Sequence, residues 1–350
     1  MKKRIVILVL KYGLGLGLLA WVVWKYWVIT TPDGEDVGIG AALEKPIHFL
    51  PFLVAGLFCL TSLLLTFLRW FILVRAQDLP FTVPNAVRLG LIGYYLNTFL
   101  PGAVGGDIIK AAFIAREQRR RTVAVATVLL DRVVGLCGLV WLCATMGILF
   151  WLSGALTEHR ALEIIIVGAS VIMASSLVFW FLLGFLPHRR AEIFAARLLR
   201  IPKVGHSLAE FWRAVWLYRW RGRAIAVCLG VSMISHSGLV MAFYFAAQTF
   251  TPAENLPSLI THFLIVPVGM TIRAGVPLPG GIGGGEYAFG LLYRTLGYSF
   301  AAGVLGLLAQ RVVEWSLGLV GYLVFLRMKP ALRQAEAETA PELAAADVGQ

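Results

Sequence analysis

The chain has 350 residues, of which 59% are hydrophobic and only 14% are charged, and its mean hydropathy is +0.80. A water-soluble domain of this size cannot bury so large an apolar fraction, so the composition indicates a protein that is solvated by lipid. The formal charge of +12 does not indicate a nucleic-acid partner, because the basic residues are concentrated in the loops of one side.

Six apolar stretches are long enough to cross a bilayer, which takes about 20 helical residues. They predict an all-α, polytopic membrane protein. The first stretch follows Lys2, Lys3 and Arg4 but lacks a small-residue cleavage site, which favours an uncleaved helix over a secretory signal. The six predicted spans cover residues 5–29, 47–74, 122–152, 162–186, 223–249 and 300–326.

Two further apolar stretches, at 85–118 and 258–297, are each interrupted by proline and glycine. Their halves are too short to span, since Asn85 to Asn97 forms about 20 Å of helix against a hydrocarbon core of about 30 Å. Basic residues flank the first stretch on both sides, which predicts that it enters and leaves by the cytoplasmic face. We therefore expect two re-entrant helical hairpins, the first entering from the cytoplasm and the second from outside.

The distribution of charge predicts the orientation of the chain. Segment 187–222 is rich in arginine, whereas the loop at 30–46 is mainly acidic, so the positive-inside rule places the former in the cytoplasm. Both termini then fall in the cytoplasm, and the Ala/Glu-rich tail at 328–350 is expected to be disordered. Segment 187–222 either only fixes the topology or also lies as an amphipathic helix on anionic lipid.

The two interrupted stretches carry related motifs. PGAVGGD at 101–107 matches PGGIGGG at 279–285 with an offset of 178, and RVV at 132–134 matches RVV at 311–313 with an offset of 179. Two matches at nearly one spacing predict an internal repeat, and the direction of the spans makes its units inverted. The predicted organisation is a first helix with its outer loop (1–46), a first repeat with the following span (47–186), the basic loop (187–222), the second repeat (223–327) and the tail (328–350).

Both interruptions predict helix ends at membrane depth. Proline stops the preceding helix and glycine permits unusual dihedral angles, and a new helix then begins near Asp107 and near Glu286. The free N–H groups and positive dipole of such a helix start attract phosphate or carboxylate. Each of the two carboxylates either caps its own helix or belongs to a ligand site.

Two arginines lie within long apolar runs. A cation at such a position is costly unless a carboxylate, carbonyl groups, water or an anionic ligand accompanies it. For Arg132 and Arg311, one interpretation is a local salt bridge, to the neighbouring Asp131 and to Glu314 one turn later. The other interpretation is contact with a lipid phosphate.

Further polar residues flank the two loops. Lys110 and Arg273 are expected to add positive potential at the two mouths of the site, and Asn97 is expected to line it. Arg69 and Arg75 are expected to be anchors at the inner membrane interface.

The sequence carries no nucleotide-binding, metalloprotease or nucleophile-elbow motif, and its four cysteines show no metal-ligand spacing. We therefore expect no catalytic residue, no cofactor and no metal site.

The strings NTFLPGAVGGDIIKA, DRVVGL and PLPGGIGGGEYAF resemble the lysylphosphatidylglycerol synthase transmembrane family over about residues 5–328. The resemblance implies a flippase-like fold in the bacterial inner membrane, with two re-entrant hairpins around a cavity for a lipid head group. The soluble aminoacyltransferase domain of the bifunctional relatives is absent, so we expect no synthesis of lysyl-lipid. The expected head-group site comprises Asn97, Pro101, Gly102, Gly105, Gly106, Asp107, Lys110, Arg132, Arg273, Pro279, Gly280, Gly283, Gly284, Glu286 and Arg311.

These features favour a transporter that moves a phospholipid or another anionic lipid-linked head group between leaflets. One alternative is a membrane-embedded lipid-modifying transferase with Asp107 or Glu286 as its base, and another is a non-transporting regulator of envelope lipid synthesis. The expected partners are membrane lipids and not nucleic acid, with a homo-oligomer or an envelope enzyme as further options.

Overall fold

The computed structural model describes residues 2–30, 37–99, 105–118, 120–154, 160–202, 205–276 and 278–347, which form thirteen α-helices and two short 3-10 turns, Ala253–Asn255 and Pro279–Gly281. The predicted all-α class is confirmed. In chain order the helices are α1 (Lys2–Lys25), α2 (Ile39–Leu43), α3 (Phe49–Arg75), α4 (Val83–Phe99), α5 (Gly105–Glu117), α6 (Arg121–Leu152), α7 (Arg160–Gly184), α8 (His188–Leu198), α9 (Gly205–Leu217), α10 (Gly222–Gln248), α11 (Leu259–Gly275), α12 (Gly284–Thr295) and α13 (Phe300–Asp347).

Five helices of the described chain are long and apolar enough to cross a membrane. They are α3, α6 and α10, together with Leu162–Gly184 of α7 and Phe300–Arg327 of α13. Each begins and ends within two residues of its predicted span, whereas α1 overlaps the first predicted span, 5–29, only over residues 5–25. The prediction of a multi-pass membrane protein is confirmed.

The four helices of the two interrupted stretches are too short to cross a bilayer alone. Helices α4, α5, α11 and α12 have 12 to 17 residues, or about 18 to 26 Å at 1.5 Å per residue. Helix α4 packs against α5, and α11 packs against α12, so each interrupted stretch forms a hairpin. The entry of the two hairpins from opposite membrane faces stays a prediction.

The packing of α3 to α6 corresponds helix by helix to the packing of α10 to α13. Helices α3 and α10 pack against each other most extensively. The second helix of each hairpin packs on the long helix that follows it, α5 on α6 and α12 on α13. The first helix of each hairpin crosses to the other unit, α4 to α13 and α11 to α6. A pair of units related by a two-fold axis has this exchange of partners.

Both interruptions lie beside the middle of α1, which is about 36 Å long. The hydroxyl of Tyr12 donates a hydrogen bond to the carbonyl oxygen of Phe99, at the end of α4 (2.8 Å). A Cβ atom at Gly15 would lie 3.5 Å from the Cβ atom of Ile282, in the second interruption. If α1 spans the bilayer as predicted, the two interruptions are near its midplane.

Segment 187–222, predicted as a basic cytoplasmic loop, contains α8 and α9. Their aromatic residues are largely engaged with protein. The indole of Trp212 donates to the carbonyl oxygen of Ala191 (2.9 Å), while Val215 and Trp216 are buried in a cluster with the ends of the long helices. Phe194 on α8 and Trp220, which follows α9, are exposed by 44% and 72%.

The last helix extends well beyond its membrane span. Helix α13 continues through residues 328–347, and the disorder expected for the tail at 328–350 stays a prediction. Alanine and glutamate are abundant in this stretch, and both have high helix propensity.

The close approach of α6 and α10 depends on Gly138, where a Cβ atom would lie 2.4 Å from the Cβ atom of Ser232. We expect Gly138→Ala to destabilise the protein by about 1–3 kcal/mol through overpacking, measured as a lower unfolding temperature in detergent. The matched control is Gly168→Ala on α7, where an added Cβ meets no atom within 4 Å and helix propensity improves. Equal losses in both variants would contradict the packing argument.

Candidate functional site

An ion pair at the first interruption joins the helix that follows it, α5, to the next long helix, α6. The Asp107 carboxylate, in the first turn of α5, binds the Arg132 guanidinium on α6. Asn97 near the end of α4 joins the same cluster, because its Nδ2 donates to Asp107 Oδ1 (3.4 Å) and its Oδ1 accepts from the Gly106 N–H (2.9 Å). The pair therefore ties α4, α5 and α6 together.

The second interruption has an equivalent ion pair, between α12 and α13. Glu286, in the first turn of α12, accepts a hydrogen bond at Oε1 from Arg311 Nε on α13 (2.8 Å). Its Oε2 accepts from the Gly283 N–H (2.7 Å), so Glu286 both caps its helix and holds an arginine. Arg311 Nη1 also donates to the carbonyl oxygen of Gly280 (3.0 Å).

The two ion pairs are equivalent positions of the repeat. In each, the arginine lies 25 residues after the carboxylate, so the helices correspond with an offset of 179. The proline-glycine motif, aligned at 178, places Asp107 opposite Gly285. The structure instead makes Glu286 its counterpart, because the second loop has one more residue between its proline and the new helix.

The predicted local salt bridges of the two arginines are wrong. The side chain of Asp131 points in a different direction from that of Arg132, because successive helical residues are about 100° apart at 3.6 residues per turn. Asp131 Oδ1 instead accepts from Arg69 Nε (2.8 Å). Glu314 is bound by both terminal nitrogens of Arg273, at 2.8 and 3.2 Å, so that Arg273 neutralises a carboxylate instead of adding free positive potential.

Arg69, expected as an interface anchor, is buried beside the site. Its Nη1 donates to Ser232 Oγ (2.8 Å) in addition to its ion pair with Asp131. The Lys110 ammonium lies 3.9 Å from the other oxygen of Asp131 and 4.3 Å from the centre of the Trp70 ring. The sequence contained a signal for this cluster, because Arg69, like Arg132, interrupts an apolar run.

Two neighbouring cavities, together called the central cavity and individually its lobes, lie between the two interruptions. Its first lobe, of about 240 Å³, is lined by Asp107, Arg132 and the cluster around Lys110. Its second lobe, of about 320 Å³, is lined by Arg273, Arg311 and the second loop. The lobes share a wall of five residues from α3, α4 and α10, namely Leu63, Thr66, Tyr94, Asn97 and His236.

The two ion pairs differ in exposure. The side chains of Arg132 and Asp107 are 39% and 14% exposed, whereas those of Arg311 and Glu286 are 2% and 0% exposed. The first pair is therefore accessible and the second is sealed, although their chemistry is the same.

Glycine is required where the loops approach other backbone. A Cβ atom at Gly106 would lie 2.1 Å from the carbonyl oxygen of Gly93, so α4 and α5 meet here only without a side chain. Gly280 and Gly283 have φ angles of 58° and 81°, a region that disfavours other residues. Because glycine adopts these angles readily, the turn can present the Gly280 carbonyl oxygen to two donors, Arg273 Nε and Arg311 Nη1, each at 3.0 Å.

Twelve of the fifteen expected site residues surround the two ion pairs or the turns that hold them. Gly105 and Gly284 begin α5 and α12, and Pro279 begins the 3-10 turn before α12. Pro101 and Gly102 lie outside the described residues, and Lys110 lies in the separate cluster with Asp131. Within the described ranges, no group of three or more His, Cys, Asp or Glu side chains is arranged to hold a metal ion.

Two comparisons relate the chain to known proteins. The family model described as the lysylphosphatidylglycerol synthase TM region matches residues 8–321. The chain is also similar to the UPF0104 membrane protein PH1989 of Pyrococcus horikoshii, with 22% identity over 353 aligned positions, covering 95% of this chain and 99% of the relative. No solved structure matches the chain.

The difference in burial predicts different costs for breaking the two ion pairs. We expect Glu286→Gln to destabilise the protein by about 3–5 kcal/mol, because Arg311 remains as an unpaired buried charge. Asp107→Asn is expected to cost about 1 kcal/mol or less, because the Arg132 side chain is 39% exposed. Thermal unfolding in detergent compares them, and the double variant Glu286→Gln/Arg311→Gln should recover part of the loss. Equal effects of the two single variants would contradict this account.

Proposed function

We propose that this chain, which belongs to the lysylphosphatidylglycerol synthase TM region family, moves a phospholipid or another anionic lipid-linked head group between the leaflets of a membrane. The head group would pass through the central cavity while its acyl chains stay in lipid. The observation that carries this proposal is the pair of equivalent carboxylate–arginine contacts that closes the two helix interruptions on either side of one cavity.

The cavity offers the chemistry that a lipid head group needs. Irregular backbone and charged side chains are tolerated at membrane depth where they line a polar cavity, and such places are sites of transport. Two helix starts, α5 and α12, point their positive ends toward this region, and guanidinium groups bind phosphate through paired hydrogen bonds. These features support an anionic head group as cargo.

The unequal exposure of the two ion pairs supports alternating access. Transporters built from inverted repeats expose the site to one side by holding their two halves in different conformations. In our proposal, the exposed Asp107–Arg132 pair and the buried Glu286–Arg311 pair represent two conformations of the same repeated ion pair. Exchange of these forms between the halves would move the cavity opening from one leaflet to the other.

The arrangement gives less support to the alternatives. A transferase needs Asp107 or Glu286 as a free base, and arginine engages both carboxylates, so we propose that the chain is not an enzyme. Lipid analysis of a deletion strain tests the choice between an enzyme and a transporter, since an enzyme changes which lipids exist and a transporter changes their sidedness.

We also propose a location in the bacterial inner membrane with both termini in the cytoplasm, as the basic segment 187–222 favours.

The transport proposal predicts that both cavity arginines are needed for lipid movement. In liposomes containing the purified full chain, we expect Arg132→Ala to slow the transbilayer movement of fluorescent phosphatidylglycerol about tenfold or more, since a hydrogen bond to a charged group contributes about 1.5–3 kcal/mol. Glu286→Gln/Arg311→Gln tests the second pair without leaving one buried charge alone.

The matched control is Arg88→Gln, which removes a more exposed ion pair with Glu117 (4.0 Å) outside the cavity. It should move lipid at the unaltered rate. Movement at that rate in both cavity variants, with folding intact, would overturn the proposed function.

A further inference from the structure

The two lobes of the central cavity carry different formal charge. Three cations, Arg69, Lys110 and Arg132, face two carboxylates, Asp107 and Asp131, in the first lobe, which leaves three minus two, or one positive charge. In the second half, Arg273 and Arg311 face Glu286 and Glu314, which leaves none. An excess charge in a low-dielectric site favours a counter-ion.

Lys110 holds the unbalanced charge. Asp131 is engaged closely by Arg69 at 2.8 Å, whereas the Lys110 ammonium is 3.9 Å from its second oxygen. That distance is too long for a hydrogen bond. Only 8% of Lys110 is exposed, and its ammonium lies over the Trp70 ring, 4.3 Å from the ring centre. Among the described residues, the ammonium thus has no hydrogen-bond acceptor of its own.

The repeat shows that this cation is an addition and not part of the shared framework. With the offset of 179, Lys110 corresponds to Phe289 and Asp131 to Gln310, whereas Arg132 corresponds to Arg311. Phe289 is fully buried in an apolar cluster with Phe243 and Leu264. The framework of the fold therefore does not require a cation here, which indicates a specific role in the first lobe.

The surroundings of Lys110 fit a phosphate group. Arg132, with 39% of its side chain exposed, lines the same lobe and presents a partly accessible guanidinium. The start of α5 adds its positive dipole at the same lobe. An anion bearing one negative charge would balance the lobe, while a zwitterion would bring a second cation into a site that already has an excess.

We propose that the first lobe is a subsite for a phosphodiester of one negative charge, bound by the Lys110 ammonium and the Arg132 guanidinium, and that Lys110 determines the charge selectivity of the cavity. The inference rests on the proposed function in assigning this phosphate to the head group of the lipid. It goes further in locating the phosphate in one half of the repeat and in distinguishing anionic from zwitterionic head groups.

Binding measurements on the purified full chain test the subsite. The probes are dioctanoyl phosphatidylglycerol and dioctanoyl phosphatidylethanolamine, with dissociation constants taken from native mass spectrometry. We expect the anionic lipid to bind about tenfold or more tightly, where tenfold corresponds to about 1.4 kcal/mol. Lys110→Met, which keeps an unbranched side chain against Trp70, should abolish this preference, and Lys110→Arg should retain it.

Inorganic phosphate in a third arm identifies the source of the bound group. Weak binding of phosphate relative to phosphatidylglycerol supports a lipid head group, whereas equally tight binding that depends on Lys110 would overturn that assignment. Equal affinity of the unaltered protein for the two lipids would overturn the subsite, and this comparison does not depend on whether a variant folds. The control Arg88→Gln should leave all affinities unchanged.

The binding and transport results are separable. Selective, Lys110-dependent binding without lipid movement would refute transport and keep the anion subsite. Lipid movement that is indifferent to head-group charge would refute the subsite and keep transport.

Discussion

A charge placed inside a membrane must be balanced locally, and this constraint organises the centre of the molecule. Each interrupted helix pair starts its second helix with a carboxylate, and an arginine 25 residues later binds it. The contact fixes the start of the short helix to the long helix that follows. In the second half it also reaches the loop backbone, through the Gly283 N–H and the Gly280 carbonyl. The second loop can therefore lie at membrane depth with the Gly280 carbonyl and the Gly283 N–H engaged.

The arrangement occurs twice in the repeat, and the two copies differ in exposure and in formal charge. Their helices exchange partners so that each hairpin packs on both units. The exposed first pair and the sealed second pair support the proposal that a head group reaches the cavity through one half at a time. The added Lys110 gives the first lobe a charge that the second lacks, and this supports the proposed anion subsite.

Several features were predictable because they depend on local sequence. Apolar length predicted five membrane helices within two residues of their bounds, since the thickness of a bilayer sets the length of a spanning helix. Proline and glycine predicted the two interruptions, and the isolated arginines marked the site. The partners of those arginines were mispredicted, because Asp131 does not share a direction with its neighbour Arg132 and because Arg273 of another helix binds Glu314. Arg69 was missed for a related reason, since its carboxylate comes from another helix 62 residues away.

The sequence by itself thus determined the membrane class, the positions of the helices and the residues that carry charge in the interior. Only the tertiary structure decided which charges pair, that Asp107 corresponds to Glu286, and that one pair is open while the other is sealed. The physical reason is that composition and periodicity report how a segment meets lipid, whereas ion pairs depend on distances between helices. Lys110 illustrates the difference, because its unbalanced charge becomes evident only when Arg69 is seen to occupy Asp131.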